Sequence, residues 1–204
     1  MDKKNQIINA AIELIIELGF INFSVGKVAN KLNVSKGVIT YHFPTKESLL
    51  QSAVINYYEE AAMYMEKHMQ IGKGAVDTLK SYIAANLHFA KEKKKQTVAI
   101  VDIVLNSRTE EGVPLFTGGD NNIYQPLVEI FKYGQEVEKV YRDFSHEIMA
   151  RSVRSVIDTF CLAIAKNEIQ DVEKAVREIQ VVFELATILN KRRNENEREK
   201  EFIF

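Results

Sequence analysis

Apolar residues recur at three- and four-residue steps almost from end to end of this chain, and that period allows little besides α-helix. Between positions 3 and 18, Ile8, Ala11, Ile12, Ile15 and Ile16 form one stripe, and Gly19 follows where a left-handed cap ends a helix. Strict apolar–polar alternation is rare, and 9 Gly and 3 Pro in 204 residues are too few to turn a sheet protein. The spacing predicts an all-α protein of about nine helices, a three-helix helix-turn-helix head followed by a C-terminal helical bundle.

The punctuation places the elements. Short segments run from Ser24 to Phe43, and Pro44 ends them. Thr45 is a good N-cap for a long helix reaching Gln70, with Glu47 in its positive first turn. Gly72-Lys73-Gly74 breaks the pattern, and further helices are expected over 75–93, 96–108, 123–136, 144–166 and 171–193. Residues 110–122 read as a glycine-rich loop, and 191–200 as a charged, solvated tail. The head is assigned to 1–46 and the bundle to 47–204.

Composition excludes several classes. With 46% hydrophobic and 27% charged residues the chain can build a core and is not a disordered or fibrous sequence. A single cysteine, Cys161, rules out an intrachain disulfide framework and suits a reducing cytoplasm. No apolar run approaches the roughly 18–20 residues of a membrane span. The first helix is interrupted by Glu13 and Glu17, so the N-terminus does not read as a signal peptide. Net charge is −1, but residues 1–50 hold six lysines against four acids, so a polyanion would meet the head rather than the bundle.

The most informative stretch is 23–43, which reads as helix, tight turn, short helix. Ser24 caps the first helix, whose inward face is Val25, Val28, Ala29 and Leu32. Asn33-Val34 makes the turn, Val34 plugs the corner, and Ser35 caps the second helix. There Ile39 and Phe43 share the buried side, leaving Lys36, Gly37, Val38, Thr40, Tyr41 and His42 outward. That outward face carries a cation and no acid. Lys36 and His42 suit phosphate, Thr40 and Tyr41 suit phosphate or base edges, and Val38 suits a thymine methyl group. Gly37 lets the backbone approach a duplex, and Lys46 stands at the start of the next helix within reach of phosphate. A helical hairpin that binds nothing has the same spacing but does not account for a face without acids.

Ser-Lys-Gly-Val-Ile-Thr-Tyr-His-Phe-Pro-Thr-Lys-Glu-Ser-Leu-Leu (35–50), preceded by Val-Ala-Asn-Lys-Leu-Asn-Val, resembles the DNA-binding head of the TetR family of bacterial transcriptional regulators. The likeness covers about residues 5–52; the remainder is similar only in length, helical content and two strong C-terminal helices. Val38 departs from the polar residue or threonine frequent at its position. The resemblance implies a homodimeric repressor that binds a palindromic double-stranded operator and is released by a small molecule. It puts the DNA contacts on Ser24, Lys36, Gly37, Val38, Thr40, Tyr41, His42 and Lys46.

The last two helices are apolar on more than one side. Val153, Ile157, Phe160, Val176, Ile179, Phe183 and Ala186 are the expected dimer interface, with the centre of a monomer core as the other reading. Two recognition helices about 34–36 Å apart would then reach successive major grooves. For an effector, the candidates are Tyr64, Phe89, Asp102, Asn106, Phe116, Tyr124 and Phe131, and the effector is expected to be hydrophobic or amphipathic. Asp102 is embedded in apolar sequence, and a buried carboxylate needs a partner: either it bonds to Asn106 one turn on, or it is exposed on the outer side of its helix, or it meets a cationic ligand. Asp158 has Arg154 one turn earlier. The chain lacks the motifs of nucleophilic, zinc or phosphate-loop enzymes, so neither catalysis, a cofactor nor a metal is expected. A DNA-binding regulator governed by a protein partner instead of a ligand is the alternative.

Overall fold

The structure is a computed structural model, and it describes residues 2–116 and 123–189. Among the described residues are nine α-helices: α1 (Lys3–Leu18), α2 (Val25–Lys31), α3 (Lys36–His42), α4 (Lys46–His68), α5 (Ala75–Glu92), α6 (Lys94–Asn106), α7 (Gln125–Glu136), α8 (His146–Ala165) and α9 (Val172–Thr187). A 3-10 turn at Phe20–Asn22 joins α1 to α2. The expected all-α class is what the structure shows. The tail over 191–200 and the second half of the 110–122 loop lie outside the described residues.

Local signals set the helix ends. Gly19 takes φ +78° and its N–H donates to Ile15 O at 2.9 Å, which stops α1. Thr45 and Ser48 form a reciprocal capping box at the start of α4: Ser48 N–H donates to Thr45 Oγ1 at 3.0 Å, and Thr45 N–H to Ser48 Oγ at 3.2 Å. The α1 stripe is rotated from its expected position. Ile7, Ala10 and Leu14 are buried with Ile8, Ala11 and Ile15, while Ile12 and Ile16 are only half-buried.

Two apolar cores hold the chain. The first joins α1, α2 and α3 to the early part of α4 (Leu49, Leu50, Ala53, Val54) and to α6 (Ala99, Ile100, Ile103). The second joins α5, α7, α8 and α9 with Tyr141. The packing therefore does not divide at 46/47: α4 crosses from one core to the other, and α6 supports the head.

The second core takes up most of the residues expected at a dimer interface. Val153, Ile157, Val176, Ile179 and Phe183 are buried within their own chain, and Phe160 and Ala186 are half-buried. The five enclosed side chains serve the protomer's own core, which leaves Phe160 and Ala186 the more accessible of the seven. The exposed apolar residues on these helices are Ile148, Val181, Val182 and Leu185, the last 76% exposed. Both faces of α9 are apolar, and the protomer takes the one bearing Phe183 for itself.

Candidate nucleic-acid interface

The head presents α3 on a rigid support. Asn33 supplies the turn before it with φ +51°, a left-handed conformation that asparagine tolerates. Val34 N–H donates to Ala29 O at 3.0 Å, and the Val34 side chain packs into the first core, as its expected place at the corner requires. Ile39 and Phe43 are buried, which fixes the rotation of α3. Lys36, Gly37, Thr40 and Tyr41 are exposed, Val38 and His42 half-exposed, and no carboxylate stands among them. Tyr41 is 84% exposed, an unusual position for a phenol with no partner to cover it, and its ring meets the edge of His42 at 5.2 Å between centroids.

Beside α3 lies a concavity of about 530 Å³ between the start of α2, the side of α3 and the start of α4. Lys36 and Lys46 line it, together with the two N-cap hydroxyls, Ser24 and Thr45, and with Thr40 and Gly26. No acid is among its lining residues. Ser24 Oγ accepts from Lys27 N–H at 3.4 Å. The long α4 adds the positive end of its dipole. Gly26 and Thr45 line the concavity without being among the expected DNA contacts; Thr45 reads from the sequence only as a cap, and nothing local marks Gly26.

The cations divide into engaged and available. Lys31 is held by Glu17 at 2.8 Å and Glu13 at 3.3 Å, and the Glu17 carboxylate, first among these influences, raises its pKa. Lys27 Nζ donates to Asn22 O at 2.7 Å. The Lys46 ammonium sits 5.3 Å from the Phe20 ring centroid and 5.6 Å from that of Phe23. The Thr40 hydroxyl donates to the carbonyls of its own helix, Gly37 O at 3.2 Å and Lys36 O at 3.3 Å, so a nucleic acid would meet it as an acceptor unless the rotor turns. A Cβ added at Gly37 would meet only Ser35 Oγ at 3.6 Å. The protein's own packing does not require glycine there.

The seven effector candidates fall in different places. Tyr64 and Phe89 meet at 5.4 Å, with Tyr64 Oη donating to Glu92 at 3.0 Å. Asp102 and Asn106 share α6, but the Asn106 amide donates to the Asp102 backbone carbonyl at 2.9 Å, not to its carboxylate. Phe116 packs against the first core. Phe131 is fully buried in the second core, and Tyr124 packs against that core with the Arg151 guanidinium 4.5 Å from its ring centroid. Asp158 does pair with Arg154, at 2.6 Å.

Residues 7–53 match the family model described as "Bacterial regulatory proteins, tetR family". An uncharacterized HTH-type transcriptional regulator, YerO of Bacillus subtilis (strain 168), is 28% identical over 158 residues, 74% of this chain and 53% of that protein. The chain thus spans about half the length of that relative. Among solved structures, a bacterial regulatory protein in the TetR family from Rhodococcus RHA1 superposes with a TM-score of 0.71 at 16% identity, covering 93% of this chain and 100% of the other. The fatty acid degradation regulator FadR from Bacillus halodurans gives 0.71 at 19% identity, covering 89% and 98%. Among the described residues no helix is long and apolar enough to cross a membrane. Residues 7–53 thus carry the head sequence of the TetR family of bacterial regulatory proteins, on a helical scaffold that shares its fold with solved structures of that family.

Proposed function

We propose that the protein is a DNA-binding transcriptional regulator, a repressor that binds a palindromic operator as a homodimer in the cytoplasm and is released by a small hydrophobic or amphipathic ligand. The observation that carries this reading is the acid-free face of α3, with Tyr41 at its centre and the Lys36–Lys46 concavity at its flank. On this reading α3 enters the major groove. Tyr41, Val38 and Thr40 meet base edges or the thymine methyl group, while Ser24, Lys36, His42 and Lys46 meet phosphate and Gly37 admits the backbone. The second copy joins through the exposed residues Val181, Val182 and Leu185 rather than the buried stripe beside them.

Release follows from the path of α4. Its first half is embedded in the head core, and its second half is tied to the body through Tyr57–Thr97 and through Glu60–Lys93 at 2.8 Å. A ligand that alters the body shifts α4 and so changes the separation of the two heads. It does so only by binding one head spacing more tightly than the other.

The test is binding to operator duplex over a salt series. Affinity should fall steeply with salt, and Lys36→Ala should weaken binding on every sequence while reducing the salt slope by about 1. A wild-type protein that ignores duplex DNA at low ionic strength would overturn the reading.

A further inference from the structure

The outward side of α3 is divided by what its residues face. Lys36 and Thr40, four positions apart, line the concavity that Ser24, Thr45 and Lys46 complete. Tyr41 follows Gly37 by four positions and Val38 by three, so these share a side, and none of the three lines that concavity.

The two sides differ in chemistry. The concavity side holds ammonium groups and hydroxyls, the groups that meet phosphate. The other side holds an isopropyl group, a phenol ring and bare backbone, with no carboxylate, amide or guanidinium anywhere on α3. Tyr41 is 84% exposed, Val38 is half-exposed, and the His42 ring stands edge-on to Tyr41 at 82°. The Thr40 hydroxyl already donates to carbonyls of its own helix, so it adds no free donor.

A major groove offers such a patch one matching group. Base edges there present hydrogen-bond donors and acceptors, and the C5-methyl of thymine is the apolar exception. Reading guanine or adenine through two bonds takes arginine, lysine, asparagine or glutamine, and of these α3 carries only Lys36, on the concavity side. Seven residues at 1.5 Å each span about 10 Å, the length of about three base pairs, so few steps lie under the helix.

We propose that Val38 and Tyr41 are the specificity-determining residues and that they read thymine methyl groups, so that each operator half-site carries A·T pairs at the steps beneath them. The inference rests on the DNA-binding reading above and deepens it by naming what is read. Val38 covers one methyl group and the Tyr41 ring covers another, while the cations on the concavity side hold the backbone and carry no sequence information.

The experiment starts with selection by the full chain from a duplex library with a randomised centre. The enriched duplex is rebuilt with deoxyuridine for thymidine, which removes the methyl group and keeps every hydrogen-bonding group. One methyl contact is worth about fourfold in affinity, so exchanging the equivalent thymine in both half-sites should weaken binding about fifteenfold. Where cytosine replaces that thymine, 5-methylcytosine should bind about fourfold per half-site more tightly than cytosine, because it restores a methyl group at the same edge. Val38→Ala should make binding indifferent to the methyl group at one position. Tyr41→Phe should keep the preference for thymine over uracil at the other, and Tyr41→Ala should lose it. Both side chains stand at the surface, so these variants keep the fold.

A uracil duplex that binds as tightly as the thymine one, or a thymine preference that disappears in Tyr41→Phe, overturns the proposal. So does an enriched half-site read through guanine, in which no methyl group matters. Each of these leaves the DNA-binding reading in place. A library that yields no bound duplex at low ionic strength removes that reading, and this inference falls with it.

Discussion

Tyr57 Oη and Thr97 Oγ1 lie 2.7 Å apart, and this hydrogen bond ties α4 to α6 at the level where α4 leaves the head core. Thr97 is buried and its hydroxyl also donates to Lys93 O at 3.0 Å, so the Tyr57 phenol is the donor of the pair when Thr97 keeps that bond. α6 is itself part of the head core through Ala99, Ile100 and Ile103. The bond thus joins the connecting helix to the element that supports the head from the body side.

Removing it should loosen the coupling without unfolding the chain. Tyr57→Phe keeps the ring against Phe89 and leaves Thr97 bonded to Lys93, so the expected loss is about 0.5–1.5 kcal/mol. The urea midpoint measures that loss. The same variant should shift the ratio of duplex affinity with and without ligand toward unity, because coupling between two sites is a free energy carried by the contacts joining them. An unchanged ratio would take Tyr57 out of the path.

Two neighbours on α9 should behave oppositely. Leu185 is 76% exposed, whereas Phe183 is buried in the second core. Leu185→Glu should leave protomer stability within about 0.5 kcal/mol, as surface changes do, while abolishing dimerisation in sedimentation experiments. Phe183→Ala should cost about 3–5 kcal/mol of fold stability. A Leu185→Glu protein that remains dimeric would move the interface away from this face.

Alkaline conditions should destabilise the fold in a defined window. Burial pushes the Cys161 thiol up to about 12 from its usual 9.0, with the Arg154 charge opposing, and burial likewise raises Tyr57 and Tyr141 above the ordinary phenol value. These folded-state values exceed the unfolded ones, so the full contribution is present below the unfolded pKa and is lost as pH rises through the folded one. For Cys161 the loss should begin near pH 9 and proceed at up to about 1.4 kcal/mol per pH unit. Urea midpoints between pH 8 and pH 11 test this, and Cys161→Ala should flatten the early part of the fall.

Two glycines make a matched pair. At Gly134 an added Cβ would sit 2.9 Å from Ala75 Cβ and collide with the Tyr141 ring, so Gly134→Ala should cost about 1–3 kcal/mol through overpacking. At Gly37 the space is open and the residue is helical, so Gly37→Ala should raise stability by up to about 1 kcal/mol. The same Gly37→Ala change should weaken duplex binding by holding α3 off the DNA. Thermal melts and a binding isotherm on one sample would reveal whether stability and affinity move in opposite directions.

The sequence by itself determined that the chain is helical and where most helices lie, the turn at Asn33, the burial of Ile39 and Phe43 and hence the face that α3 shows, but not every end: α9 stops at Thr187 rather than at 193, and Ile188 there turns extended and pairs with Tyr141. What it determined follows from neighbours within a few residues: a 3.6-residue period, a capping side chain, a glycine or asparagine able to take positive φ. Only the tertiary structure decided which apolar face of α9 the protomer keeps, that α6 supports the head, and that Lys46 rests on Phe20 and Phe23. The same holds for Arg154, whose contacts Tyr82 and Asn86 lie 72 and 68 positions away in the chain. Periodicity marks a side chain as facing inward but carries no information about which distant helix arrives to meet it, because that choice is made by packing between segments far apart in sequence.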